Sequence, residues 1–180
     1  MTNASVDSRY LEVFSQWLRS LGEDTTAVGA VIASSAPDDA ATRWLVAGIN
    51  YIFKSLDLIP DGVDDLGYLD DAFVLRVASA LAVAAQPEVK TGVVERLADD
   101  ARAVRDFLEG DFGPLEAYVR GLAKGAARGR TVDEIVSDAA LRADFLHDVV
   151  EWAKSYQPPA FGRDPKTLLK LRSFLAARLA

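Results

Sequence analysis

Apolar residues recur at spacings of three and four along nearly the whole chain, and no convincing two-residue alternation appears anywhere. Tyr10, Phe14, Trp17, Leu18 and Leu21 form the first such stripe, predicting an amphipathic helix that Gly22 ends. Thr25 or Thr26 is placed to cap a short second helix to about Ser34. A third helix is predicted from near Pro37, with Asp38 and Asp39 facing the positive end of its dipole, to about Lys54. From Trp44 to Phe53 it is apolar on most sides, as a central buried helix would be. Pro60 forbids a helix through it, so the next predicted helix spans about Leu66 to Ala85, and Pro87 marks the following break.

A fifth stripe follows: Val89, Val93, Leu97, Ala101, Val104 and Leu108. Arg102 with Asp106 and Arg105 with Glu109 are expected to pair on its outer face. Asp111 is placed to cap a sixth helix with Leu115, Val119, Leu122 and Ala126 inward. Thr131 and Glu134 make a capping-box pair for the seventh, which is expected to break near Asp138. Phe145, Val149, Trp152 and Tyr156 are its predicted core face. Asp164 and Pro165 open a last helix to Leu179 after a Q-P-P-A-F-G connector. The pattern therefore predicts an all-α fold. About eight helices form one compact domain over residues 1–180 around a central buried hairpin, with a soft boundary near Pro87.

Composition narrows the picture. Half the residues are hydrophobic and 26% are charged, as in ordinary globular chains. A net charge of −7 disfavours nucleic acid and anionic membrane as general partners. There are no cysteines, so thiolate chemistry and disulfides are excluded. The start, MTNASVDSRY, lacks the basic and apolar regions of a signal peptide. No apolar run reaches the roughly 20 residues of a spanning helix. A soluble, cytoplasmic protein is expected.

Candidate chemistry concentrates in KSLDLIPDGVDDLGYLDDAF, residues 54–73. It holds Asp57, Asp61, Asp64, Asp65, Asp70 and Asp71, with no basic residue between Lys54 and Arg76. In the simplest account these are turn and cap residues. Asp57 and Asp61 would then accept peptide N–H bonds, Asp64 and Asp65 would be solvated, and Asp70 and Asp71 would favour a helix dipole. In a sharper account Asp57, Asp61, Asp70 and Asp71 converge on Mg²⁺ or Ca²⁺, both of which take oxygen ligands. The spacing is not that of an EF-hand. Starting at Asp57 puts Tyr68 at position twelve, and starting at Asp61 puts Leu66 where the glycine belongs. A catalytic aspartate is a third account, for which the sequence supplies no electrophilic partner.

With Tyr51, Asp57-Leu58-Ile59-Pro60-Asp61, Gly67 and Asp70-Asp71 between two apolar helices, residues 45–80 resemble the YkvA-like family, a domain of unknown function. The family commonly has proline where Ser55 and Asp64 stand here. The resemblance implies an all-helical hairpin module and no particular activity.

Two other features remain. In residues 120–130, Arg120, Lys124 and Arg128 repeat every four, interleaved with Gly121, Gly125 and Gly129. That is a solvated stripe or a contact for a phosphate-bearing ligand or an acidic partner. The last helix is basic and amphipathic over residues 165–180, fit to dock on the core or, less simply, to touch a membrane surface. His147 is the lone histidine, too few for a histidine-based zinc or HD-type hydrolase, and is expected on the surface. No cofactor-binding fingerprint is present. The sequence thus points first to a non-enzymatic helical interaction or scaffold module whose partner is a protein or another copy of itself. The alternative is a Mg²⁺- or Ca²⁺-dependent enzyme, or a cation-binding regulator, with the basic stripe holding a phosphate.

Overall fold

Three-and-four spacing carries the first helix straight through the glycine expected to end it. The protein, seen in a computed structural model that describes residues 3–36, 39–54, 57–63 and 66–179, opens with one long helix, α1 (Asn3–Ser34). A mid-helix glycine costs only about 1 kcal/mol, and here it makes room. A Cβ on Gly22 would stand 3.3 Å from the Tyr156 ring. Thr25 and Thr26 cap nothing; their hydroxyls donate to the Leu21 and Gly22 carbonyls one turn back.

α2 (Ala40–Tyr51) and α3 (Leu69–Ala85) form the central hairpin. α2 is shorter than expected at both ends, and Pro37 and Asp38 lie outside the described residues. Asp39 sits at its N-cap, but its carboxylate accepts from Ala36 N at 2.9 Å rather than from a helix N–H. Gly48 sets the crossing: a Cβ there would stand 2.7 Å from Ala78 Cβ, so the two backbones approach closely. α3 begins at Leu69, three residues later than expected, because Tyr68 adopts the left-handed conformation (φ 65°) and breaks helical continuity.

A 3₁₀ turn at Pro87–Val89 leads to α4 (Gly92–Leu108), which packs on α3. Its expected four-residue ion pairs do not form: Arg102 turns back to Asp99 at 2.9 Å, and Arg105 lies over the Phe112 ring at 4.7 Å. After a 3₁₀ turn at Glu109–Asp111 comes α5 (Phe112–Leu122), with no side-chain cap from Asp111. The helix expected to continue through Ala126 stops at Leu122, and a tight hairpin of β1 (Ala126–Ala127) and β2 (Arg130–Thr131) follows. Gly129 at φ 74° takes a left-handed turn position that glycine adopts without strain.

The Thr131–Glu134 capping box opens α6 (Val132–Ser137). Asp138 then caps α7 (Ala139–Ser155) through Ala140 N and Leu141 N. α8 (Pro165–Leu179) starts with Asp164 accepting from Lys166 N at 2.9 Å. Among the described residues there are eight α-helices and one two-strand hairpin. One contiguous apolar core runs from Tyr10 to Leu175 and takes in residues on both sides of Pro87. Leu168, Leu171 and Leu175 are buried in it, so the apolar face of α8 is used internally. Among the described residues no helix is long and apolar enough to cross a membrane.

The apolar run of α3 carries one charge, Arg76, fully buried against the Trp17 ring at 3.9 Å. Its guanidinium lies 3.3 Å from Asp100 and 3.5 Å from Asp24, and Asp24 also takes Arg96 at 2.6 Å. This network ties α3 to α1 and α4 around a charge that would be costly to bury alone.

Candidate functional site

The aspartate turn folds inward on Tyr51, the last residue of α2. Its hydroxyl donates to Asp70 Oδ2 at 2.6 Å and accepts from Leu58 N at 2.7 Å. Asp70 Oδ2 also accepts from Ile59 N at 2.9 Å. One phenol and one carboxylate from the two hairpin helices therefore hold the two peptide N–H groups that precede Pro60. The loop then closes on itself: Val63 N donates to Pro60 O, and Gly67 N to Val63 O, each at 2.9 Å. Gly67 is required by space, since a Cβ would stand 2.5 Å from the Asp61 carbonyl oxygen.

The expected roles divide differently among the acids. Asp57 was to receive the turn's N–H bonds, but Tyr51 and Asp70 receive them. The donor expected for Asp61 is Val63 or Asp64; the Val63 N–H goes to Pro60 O, and Asp64 is not among the described residues. Asp70 and Asp71 do lie in the first turn of α3, yet both are buried, at 0% and 2% exposure, rather than facing solvent. Asp64 and Asp65 lie outside the described residues.

Burial pushes the Asp57 carboxyl up to about 7, with the neighbouring charges of Asp70 and Asp61 adding to it and Lys54 opposing. Burial also raises Asp70, to about 6, against the donors Tyr51 and Ile59 that favour its charged form. Asp71 is raised well above the carboxylate range by burial and by Asp70, Asp61 and Asp57 together. Desolvation raises Asp61 as well. The four carboxyls therefore sense one another, though among the described residues no three acids or histidines are placed to share one metal ion.

Four of the protein's five tyrosines surround this cluster. Tyr51, Tyr68, Tyr118 and Tyr156 all have their phenols raised, first by burial and then by these same aspartates. Lys54 Nζ donates to Tyr118 Oη at 3.3 Å and lies over the Tyr51 and Tyr118 rings. Tyr68 meets Tyr156 edge-on at 5.3 Å, and Tyr156 donates to the Leu18 carbonyl of α1 at 2.7 Å. This aromatic wall is absent from the sequence reading. Tyr156, at the end of α7, lies on that helix's predicted core face, whereas no local pattern announces Tyr118 of α5 or the meeting of both with the acids.

The basic residues of 120–130 are engaged elsewhere. Arg120 pairs with Glu116 at 2.7 Å, and Arg128 stands 3.7 Å from Asp148, a carboxylate that also takes Arg130. Arg128 lies over Phe53 at 4.4 Å. Lys124 is exposed just past the end of α5, and Arg128 sits in the hairpin, so the three cations do not share a helical face. His147 is exposed.

A second concave feature lies on the outer side of α1 and α7. It is an open groove of about 690 Å³ with Gly22, Ala27, Ala30, Val150, Ala153 and Tyr156 in its lining. Arg19, Glu23 and Lys154 also line it, and Val150 is one of two large apolar side chains exposed among the described residues. No family model, curated protein or solved structure matches this chain.

Proposed function

We propose that the chain is a non-enzymatic helical interaction module that pairs with a second copy of itself through the α1/α7 groove, with a YkvA-like hairpin as its rigid centre. The groove carries this reading. Ala27, Ala30 and Ala153 in its lining are small enough to let another helix approach closely, and its charges are self-complementary. Arg19 and Glu23 stand one turn apart on α1. A two-fold axis crossing α1 between them sets Arg19 of each copy against Glu23 of the other, as an isologous interface requires. The resemblance to the YkvA-like family rests on the turn residues. Their inward hydrogen bonding supports a structural part for the turn, and the pairing of Arg120 and Arg128 with other acids gives a phosphate-handling enzyme no support.

Sedimentation equilibrium of the protein tests the pairing. A dimer is expected at about 100 μM chain, where contacts of micromolar strength are populated. Arg19→Glu should weaken it by placing like charges across the axis, and the swap Arg19→Glu/Glu23→Arg should restore it. A chain that stays monomeric, or a dimer indifferent to both changes, refutes the reading.

A further inference from the structure

A cleft of about 240 Å³ opens between α3, α4 and α5. Each helix gives it one side: Val77, Ala80, Leu81 and Ala84 from α3, Ala98 and Ala101 from α4, and Phe112 from α5. Val77, Leu81, Ala101 and Phe112 are buried and make an apolar floor. The rim is charged, and unevenly. Arg102, Arg105 and Arg120 line it with a single acid, Glu116. Arg120 gives two hydrogen bonds to one oxygen, Glu116 Oε1, and Arg102 turns to Asp99. Arg105 has no such partner. Among the described residues it enters no ion pair, and its guanidinium lies over the Phe112 ring at 4.7 Å, at the edge of the apolar floor. One uncompensated positive charge thus stands over an apolar slot, in a chain whose net charge is −7.

We propose that this cleft binds a small amphiphilic monoanion, a carboxylate on a short unbranched hydrocarbon chain. The chain fills the slot and the carboxylate sits on Arg105. The headgroup follows from the charges. One unpaired guanidinium has the planar fork that matches the two oxygens of a carboxylate. A phosphate dianion would call for a second cation, and Arg102 and Arg120 already face acids. The tail length follows from the volume. At about 30 Å³ for each water-sized group, the cleft holds roughly eight. This binding is separate from the α1/α7 groove and needs no self-pairing there.

Isothermal titration calorimetry of the full chain with sodium octanoate tests the assignment. About one octanoate should bind per chain, with a dissociation constant below about 1 mM. Each methylene added from butanoate to octanoate should tighten binding about threefold to fourfold. Octyltrimethylammonium, with the same tail and the opposite charge, should bind at least about tenfold more weakly. Arg105→Gln should weaken octanoate at least about tenfold, and Arg105 is exposed, so this variant keeps the fold. Ala98→Leu, on the half-buried wall, should fill the slot and remove the gain with chain length. Arg19→Glu, which alters the groove, should leave octanoate binding unchanged. The absence of saturable binding up to about 10 mM octanoate overturns the proposal. So does equal binding of the cationic amphiphile, binding that survives both Arg105→Gln and Ala98→Leu, or binding lost in Arg19→Glu.

Discussion

Tyr51→Phe is the sharpest probe of the turn, because it removes one oxygen and leaves the ring in place. Tyr51 is 1% exposed, and its hydroxyl makes two bonds, to Asp70 Oδ2 and from Leu58 N. Losing the first removes a hydrogen bond to a carboxylate, worth about 1.5–3 kcal/mol. Losing the second leaves a buried peptide N–H without an acceptor, a further cost of about 1–3 kcal/mol. Ile59 N still donates to Asp70, so the loop is weakened and not released. The two losses sum to about 2.5–6 kcal/mol, which in a chain of this size lowers Tm by roughly 5–24 °C. Urea unfolding followed by circular dichroism gives the free energy directly. Tyr118→Phe is the comparison: that half-buried hydroxyl takes a long bond from Lys54 at 3.3 Å and interacts with Tyr51 but holds no peptide N–H of the turn, so its loss should cost clearly less than that of Tyr51. Combining Tyr51→Phe with Asp70→Asn in a double-mutant cycle should show coupling of at least about 1 kcal/mol. A Tyr51→Phe cost below about 1 kcal/mol, with the fold intact, would refute the claim that this phenol pins the turn.

Stability should also fall with rising pH. Asp57 and Asp70 titrate near 7 and 6 in the folded chain, above the ordinary carboxylate value of about 3.9, so the native state holds more protons than the unfolded one between these values. Their contribution is complete below about pH 4 and lost by about pH 7, so without divalent metal the urea midpoint should be lower at about pH 8 than at about pH 5. A midpoint that rises over that interval contradicts the assigned environments. Arg76→Ala should destabilise by on the order of 3 kcal/mol in the same assay, through the emptied volume and the loosened Asp24 and Asp100. Adding Asp24→Asn to it should cost much less than the sum of the two single changes.

Most of the architecture was legible because burial follows local period. The stripe of Phe14, Trp17, Leu18 and Leu21 is the α1 core face, and Thr131, Glu134 and Asp138 mark real helix starts. The misreadings arose where a local signal was overridden from a distance. Gly22 reads as a stop but serves the approach of Tyr156. The sixth helix reads as continuing because Leu115, Val119, Leu122 and Ala126 keep helical spacing, yet the turn at Gly129 and the pairing of Ala126 with Thr131 make the chain a hairpin there. For the candidate site, the acids were visible and their surroundings were not. Nothing near Asp70 in the chain announces that Tyr51 serves as its donor or that Tyr118 and Tyr156 close over the cluster. Nor does the apolar run around Arg76 say that its counter-charges come from α1 and α4.

The contact between Gly48 and Ala78 restricts how this protein can change shape. With the Ala78 methyl and the Leu75 side chain seated directly on the bare backbone at Gly48, sliding one helix past the other would bring these groups against the side chains that flank Gly48. The hairpin therefore moves as a solid body. Any change of shape is left to elements outside this crossing, such as α8, which only the extended connector 156–164 joins to α7.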